Sequence, residues 1–199
     1  DPTLPMEEAF SQQLKEEKLE LPAGQFALFM NSMYAVDAYV RDYFRKAVLD
    51  ALLAEKLPVT VFGEGWEKYS CGDEHSLRRE PAVPFALSFE RITKAHVLLN
   101  VSPIFNRGMH DRVPAGMANH AVVLTDENPY LRRTFTDGKE LLFYSLEKPD
   151  TLCEQAERTL TDVRLREKIA ASAYETFERE YTWKRRAEQI LAFAEEVEA

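Results

Sequence analysis

Between Asn100 and Asp126 the chain reads NVSPIFNRGMHDRVPAGMANHAVVLTD, and the densest polar cluster of this stretch is His110, Asp111 and Arg112, with Asn106, Arg107 and Gly108 just before it. An arginine guanidinium is a planar fork of donors that matches a diphosphate in a way a lysine does not. Arg107 and Arg112 are therefore candidates for gripping a phosphorylated ligand. The alternatives are an exposed loop position for Arg107 and an ion pair with Asp111 or another carboxylate for Arg112. Gly108 lets the backbone come close to a ligand, and the amides after it, entering a helix, favour an anion. His110 is a candidate general base whose partner the sequence does not place. Asp111 is a second candidate for catalysis or simply the N-cap of the following helix. No other catalytic candidate emerges.

These residues need elements to hold them. HVLLNV before the loop and AVVLTD after it have the length and branched content of buried strands, with a short helix between them. Strand, polar loop, helix, strand is a βαβ unit, and open parallel sheets bind ligands beyond the carboxyl ends of such strands. Asn100 and Ser102 end the first strand, and Thr125 and Asp126 end the second. All four would line a cleft there, or serve only as polar strand ends and helix caps. Upstream, PVTVFG reads as another buried strand, followed by the turn Gly63-Glu64-Gly65-Trp66. That turn places Gly63 and Glu64 as further candidates, though a simple turn suffices to explain it. His96 and His120 read as structural. Tyr34, Tyr39 and Trp66 read as core aromatics, with stacking platforms as the alternative.

The remaining elements follow from periodicity and caps. Met6 to Leu21 reads as a charged helix broken at Leu21-Pro22-Ala23-Gly24. Gln25 to Lys56 reads as one long helix kinked near Asn31-Ser32, with Val36, Val40, Tyr43, Phe44, Ala47, Val48, Leu52 and Leu53 at helical spacing and Arg41, Arg45 and Lys46 on the other face. His75 to Glu80 is polar. Ala82 to Phe85 suggests a short edge strand, and Ser88 the N-cap of a helix through Ala95. Later helices start at Pro129, Pro149, Asp162 and Thr182, the last with Trp183, Ala187, Ile190, Leu191 and Ala194 on one stripe. A strand, LLFYS, lies between the first two of these. Alternating strands and helices predict an α/β fold: a Rossmann-like, three-layer domain with a mainly parallel sheet over residues 57–199, and a helical extension over 1–56 that packs on it.

Composition excludes several functions. Of 199 residues 45% are hydrophobic, enough for a sizeable core, and the net charge of -9 argues against a nucleic-acid partner, which needs a basic face. No apolar run is long enough to span a bilayer, and with no signal peptide the expected location is cytoplasmic. Cys71 and Cys153 form no metal-ligand spacing and read as free thiols. No divalent metal and no tightly bound cofactor are implied. The absence of G-x-G-x-x-G after the first strand speaks against a nucleotide-sugar epimerase or dehydrogenase.

The segment from His96 onward resembles the donor-binding, C-terminal domain of bacterial GT-B glycosyltransferases, in the "glycosyl transferases group 1" branch that includes spore-maturation CgeB-like proteins. The likeness rests on LNVSP, then G-x-H-D-R-V, then GMAN-x-AVVLTD, then FYSLEKPDTL and YTWKRRAEQIL, and it extends upstream through AYVRDYFRKAVLDALLAEKLPVTVFGEGWEKY, covering about residues 34 to 195. It implies a nucleotide-sugar donor as substrate, with Asn100, Ser102, Arg107, Gly108, His110, Arg112, Thr125, Asp126, Gly63 and Glu64 around it. It also implies an acceptor-binding domain that this chain lacks. In the better-known retaining relatives two glutamates, the second opening E-A-M-A-C-G, contact the sugar and the ribose. Arg107 and Ala115 stand in their places here, and Asn119-His120 stands for Cys-Gly, with Asn119 suited to a left-handed helix end. The alternative is a non-catalytic binding or assembly module that keeps the fold, with the N-terminal helices docking a partner or a second copy of the chain.

Overall fold

The computed structural model of the protein describes residues 4–105 and 107–198, so Asn106 lies outside the described residues. Among the described residues five strands form two parallel sheets. In one, β1 (Val59–Phe62) pairs with β2 (Leu77–Glu80), Val59 opposite Leu77. In the other, β4 (Val122–Asp126) lies between β3 (Val97–Asn100) and β5 (Leu142–Tyr144). Val97 sits opposite Val122 and Leu124 opposite Leu142, which brings the carboxyl ends of all three strands to one edge.

The two-residue period of β4 and β5 sorts their side chains into two layers of core. Val122, Leu124, Leu142 and Tyr144 face Val48 and Leu52 of α3 (Tyr34–Ala54) and Leu152 and Ala156 of α7 (Pro149–Thr161). Val123, Leu141 and Phe143 face the other way, onto Val113 and Met117 of α5 (Arg112–Ala118), Leu131 of α6 (Pro129–Thr134) and Ala173 of α8 (Val163–Glu180). Helix, parallel sheet, helix is the three-layer arrangement that the alternating pattern predicts, and every residue of β4 is buried, as a central parallel strand requires. A third cluster, Leu49, Leu53 and Leu77, ties α3 to β1 and β2. The carboxyl half of α3 is thus part of the domain core.

α5 is short and closely set. A Cβ on Gly116 would meet Val123 Cγ2 at 2.5 Å and Leu98 Cδ2 at 3.0 Å, so only glycine lets the helix approach β3 and β4 this closely. The helix ends with His120 in the left-handed region (φ 56), the His120 amide donating to Met117 O at 3.4 Å and the Ala121 amide to Gly116 O at 3.1 Å. That pair of bonds is a Schellman closure. The left-handed residue is therefore His120, not Asn119, whose φ is -107; the Asn119 side chain instead donates to Ala115 O at 2.8 Å.

Several expectations fail for physical reasons. The long N-terminal helix is two: α2 (Ala23–Ser32) and α3 part at Met33. α1 ends at Glu16, before the expected break at Leu21-Pro22-Ala23-Gly24, and Pro22 takes the N-cap position of α2 while Ala23 and Gly24 lie inside that helix. The strand is Leu77–Glu80, not Ala82 to Phe85. Its polar residues are compatible with an edge because Arg79 donates to Trp66 O at 3.0 Å and Tyr69 O at 2.8 Å. Pro84 occupies the N-cap position of α4 (Phe85–Ile92), and Ser88 lies inside that helix, its hydroxyl donating to Phe85 O. Tyr34 and Tyr39 are exposed on the amino half of α3, together with Val36 and Tyr43, because that half projects beyond the buried cluster. The stripe on α9 (Trp183–Glu198) is likewise exposed.

Candidate functional site

The carboxyl edge of the three-stranded sheet holds a connected set of buried polar groups. Asn100 ends β3 and donates through Nδ2 to Thr125 Oγ1 at 2.9 Å. The Ser102 hydroxyl donates to Asn100 Oδ1 at 3.2 Å, and the Tyr144 hydroxyl donates to Asn100 O at 2.8 Å. Asp126, 3% exposed, accepts the Ser102 amide at 2.8 Å. Four residues singled out in the sequence, Asn100, Ser102, Thr125 and Asp126, therefore meet across β3 and β4. Burial is the main cause that pushes the Asp126 carboxyl up to about 6, with the Ser102 amide and the Arg112 charge acting the other way.

Beside this set, the start of α5 aligns Asp111, His110 and Arg112. The Arg112 guanidinium lies 3.1 Å from His110 Nε2, and His110 Nδ1 pairs with the Asp111 carboxylate. A guanidinium has no acceptor. Nε2 accepts from Arg112 when the ring proton sits on Nδ1 against Asp111, while the Arg112 backbone amide, 3.2 Å from Nδ1, competes for that nitrogen. Burial and the Arg112 charge lower the His110 pKa, which keeps the ring neutral and the arrangement intact near pH 7. Asp111 does not cap α5 through its side chain; its carboxylate is turned to the imidazole instead.

Arg112 is the group with unused capacity. It is half-buried, and among the described residues no carboxylate forms an ion pair with it. Burial, followed by the repulsion of Arg45 on α3, lowers its pKa, against weaker opposite pulls from Asp111, Asp126 and Tyr144. A guanidinium stays charged regardless. Among the described residues its guanidinium makes one hydrogen-bond contact, to His110, out of five N–H donors, which leaves donors for an anion.

The loop between β3 and α5 is pinned from below. Asn128 caps α6, its Oδ1 accepting the Leu131 amide at 2.7 Å, while its Nδ2 donates to Phe105 O at 2.8 Å and Gly108 O at 3.3 Å. Gly108 packs beneath the Phe105 ring, where a Cβ would come within 3.1 Å of Phe105 Cζ. Ile104, β-branched, is held at φ 60, a strained conformation of the kind that gathers at binding loops. Arg107 is exposed and pairs with Glu8 of α1 (Met6–Glu16). Gly63 (φ 123) and Gly65 (φ 93) shape the turn after β1, where Glu64 is exposed. The polar constellation itself thus consists of Asn100, Ser102, His110, Asp111, Arg112, Thr125 and Asp126. Sequence reasoning missed Asn128 and Tyr144. Asn-Pro at a helix start signals a cap, but nothing in it shows that the amide's other end holds a loop twenty residues upstream.

The family described as "Glycosyl transferase-like" matches residues 41–192, more than half of the chain. The chain belongs to the glycosyl transferase-like family. Its fold is similar to that of solved glycosyltransferases. Anabaena Alr3699/HepE, solved in complex with UDP-glucose, superposes with a TM-score of 0.63 at 11% identity over 75% of this chain. A glycosyltransferase from Rickettsia africae ESF-5 does so with a TM-score of 0.64 at 10% identity over 76% of this chain. The chain spans 44% of each of those structures, less than half their length. No curated protein matches it. The Rossmann-like fold of the GT-B glycosyltransferases is thus the fold of this family member, and no helix among its described residues is long and apolar enough to cross a membrane.

Proposed function

We propose that this chain is the donor-binding half of a glycosyltransferase, C-terminal in the complete two-domain arrangement and of the CgeB-like branch, and that Arg112 receives the diphosphate of a nucleotide-sugar. The observation that carries the reading is a half-buried guanidinium at the carboxyl edge of a parallel sheet that forms no ion pair among the described residues. In sugar transfer the leaving group is a nucleoside diphosphate, and a fixed cation beside it stabilises charge as that charge develops. Asn100, Ser102, Thr125 and Asp126 form the wall of the cleft, Gly108 and its loop the floor, and Gly63 and Glu64 the far rim. Asp111 and His110 act by holding Arg112 in place. UDP-sugars are the first donors to test, because HepE was solved with UDP-glucose. The donor enters as a substrate, and a cytoplasmic location, where nucleotide-sugars are made, suits it. Transfer of a hexosyl group requires an acceptor-binding half.

A thermal-shift panel of UDP, GDP, CDP, dTDP and their sugar conjugates tests the reading, since a ligand that binds only the folded chain raises its melting temperature. A shift with one nucleoside diphosphate and not with the bare nucleoside is expected. No shift with any of them overturns the proposal. A second reading, an assembly module without donor chemistry, draws on Arg107 and Ala115 standing where the relatives carry glutamates and on the exposed face of α2 and α3, where Leu28, Tyr34, Tyr39 and Tyr43 are open. It predicts a dimer or hetero-complex by light scattering and silence in the same panel.

A further inference from the structure

α3 brings a second guanidinium to the site. It runs back along β1 through the short link Glu55 to Pro58, so the two are antiparallel, and the amino half of α3 lies toward the carboxyl end of β1. Its row of four-residue steps carries Leu53 and Leu49, both 3% exposed in the core, and then Arg45. From Ala54 to Arg45 the helix rises about 13 Å at ~1.5 Å per residue, while β1 covers about 10 Å. Arg45 therefore reaches the level of the strand ends. Phe44, its neighbour, packs in the cluster that contains Val101, just past the end of β3. From there the Arg45 charge acts on both His110 and Arg112, repelling the second cation and disfavouring protonation of the imidazole. Its own ion pair is a 3.5 Å contact with Asp42 on the same helix, 77% exposed, and so easily exchanged for a better anion.

Two guanidinia from separate helices, close enough for their charges to act on one another, repel each other until an anion lies between them. We infer that Arg45 is the second arm of a diphosphate clamp, gripping from α3 what Arg112 grips from α5. This rests on the donor reading of the site and adds to it a residue outside the strand–loop–helix unit. The clamp makes the affinity of the site depend on how α3 sits against the sheet, and it favours a diphosphate over a monophosphate because the second phosphate brings more charge and gives each arm its own oxygens.

The test is isothermal calorimetry of the full chain with UDP, GDP, CDP and dTDP, and with the matching monophosphate and nucleoside of whichever diphosphate binds. Arg45→Ala should weaken the diphosphate about tenfold or more, the range expected for losing a charge-assisted hydrogen bond. It should change nucleoside binding less than twofold, and leave the melting temperature as in the wild type. Arg45→Lys should recover part of the loss, and Lys46→Ala, whose ammonium pairs with Asp50, should bind as the wild type does. If a diphosphate binds and Arg112→Ala weakens it while Arg45→Ala does not, the clamp is refuted and the donor site stands. If no diphosphate binds the wild type, both fall together.

Discussion

Asp126 combines burial with charge, and its titration should be visible in stability. Folding lifts its carboxyl from the usual carboxylate range to about 6. Below about pH 4 the carboxyl is protonated in both states and the burial carries no penalty. Between about pH 4 and 6 the unfolded chain ionises this group while the folded chain keeps it protonated, so stability is lost across that window and levels off above it. Asp126→Asn keeps an oxygen for the Ser102 amide and removes the charge. It should stabilise the chain by about 3 kcal/mol at pH 8 and by almost nothing at pH 4, measured by urea unfolding at both values. Equal effects at the two pH values would mean that the carboxylate is not penalised by burial. A site residue that costs stability at neutral pH is what binding machinery is expected to contain.

The elements show why some of this was legible in the sequence and some was not. The three-layer fold was readable because β3 and β4 are apolar runs bounded by Asn100-Val101-Ser102 and by Asp126, and because Pro129 and Asp162 open helices where caps predict them. β2 was not readable: LRRE has no apolar period, and it becomes a strand only because β1 offers a partner and Trp66 and Tyr69 offer carbonyls to Arg79. The cluster of Asn100, Ser102, Thr125 and Asp126 could be foreseen from strand ends alone. Arg45 could not, since its spacing on α3 looks like any solvated arginine, and only the antiparallel run of α3 along β1 carries it to the site. At this scale Gly116 is the decisive contact. Gly116→Ala forces a methyl against Val123 and Leu98 and should destabilise by about 1–3 kcal/mol through overpacking. Thermal melts of the two chains check this; an unchanged melting temperature would show that α5 can move off the sheet at no cost, and that the site it carries is not rigidly held.

Seen whole, the molecule is unevenly covered. The sheet is enclosed by α3, α5, α6, α7 and α8, yet Trp183 is 89% exposed, and Ile190 at 68% and Leu191 at 64% stand largely open on α9. These side chains contribute little to the stability of this chain, so Ile190→Lys with Leu191→Lys should change unfolding free energy by less than about 0.5 kcal/mol. Chemical denaturation measures this directly, and a loss of more than about 2 kcal/mol would mean that α9 belongs to the core. The structures this chain resembles are more than twice as long as the part it covers, and we propose that catalysis needs the half that supplies the acceptor.

The central claim is that Arg112 binds a diphosphate, and its most direct measurement is the affinity of the best-binding nucleoside diphosphate for the wild-type chain and for Arg112→Ala, by calorimetry at fixed ionic strength. Removal of a half-buried, charge-assisted contact is expected to weaken binding by about tenfold to a hundredfold, with the fold intact by circular dichroism. Equal affinities for the two chains would contradict the account and place the diphosphate, and the site, elsewhere.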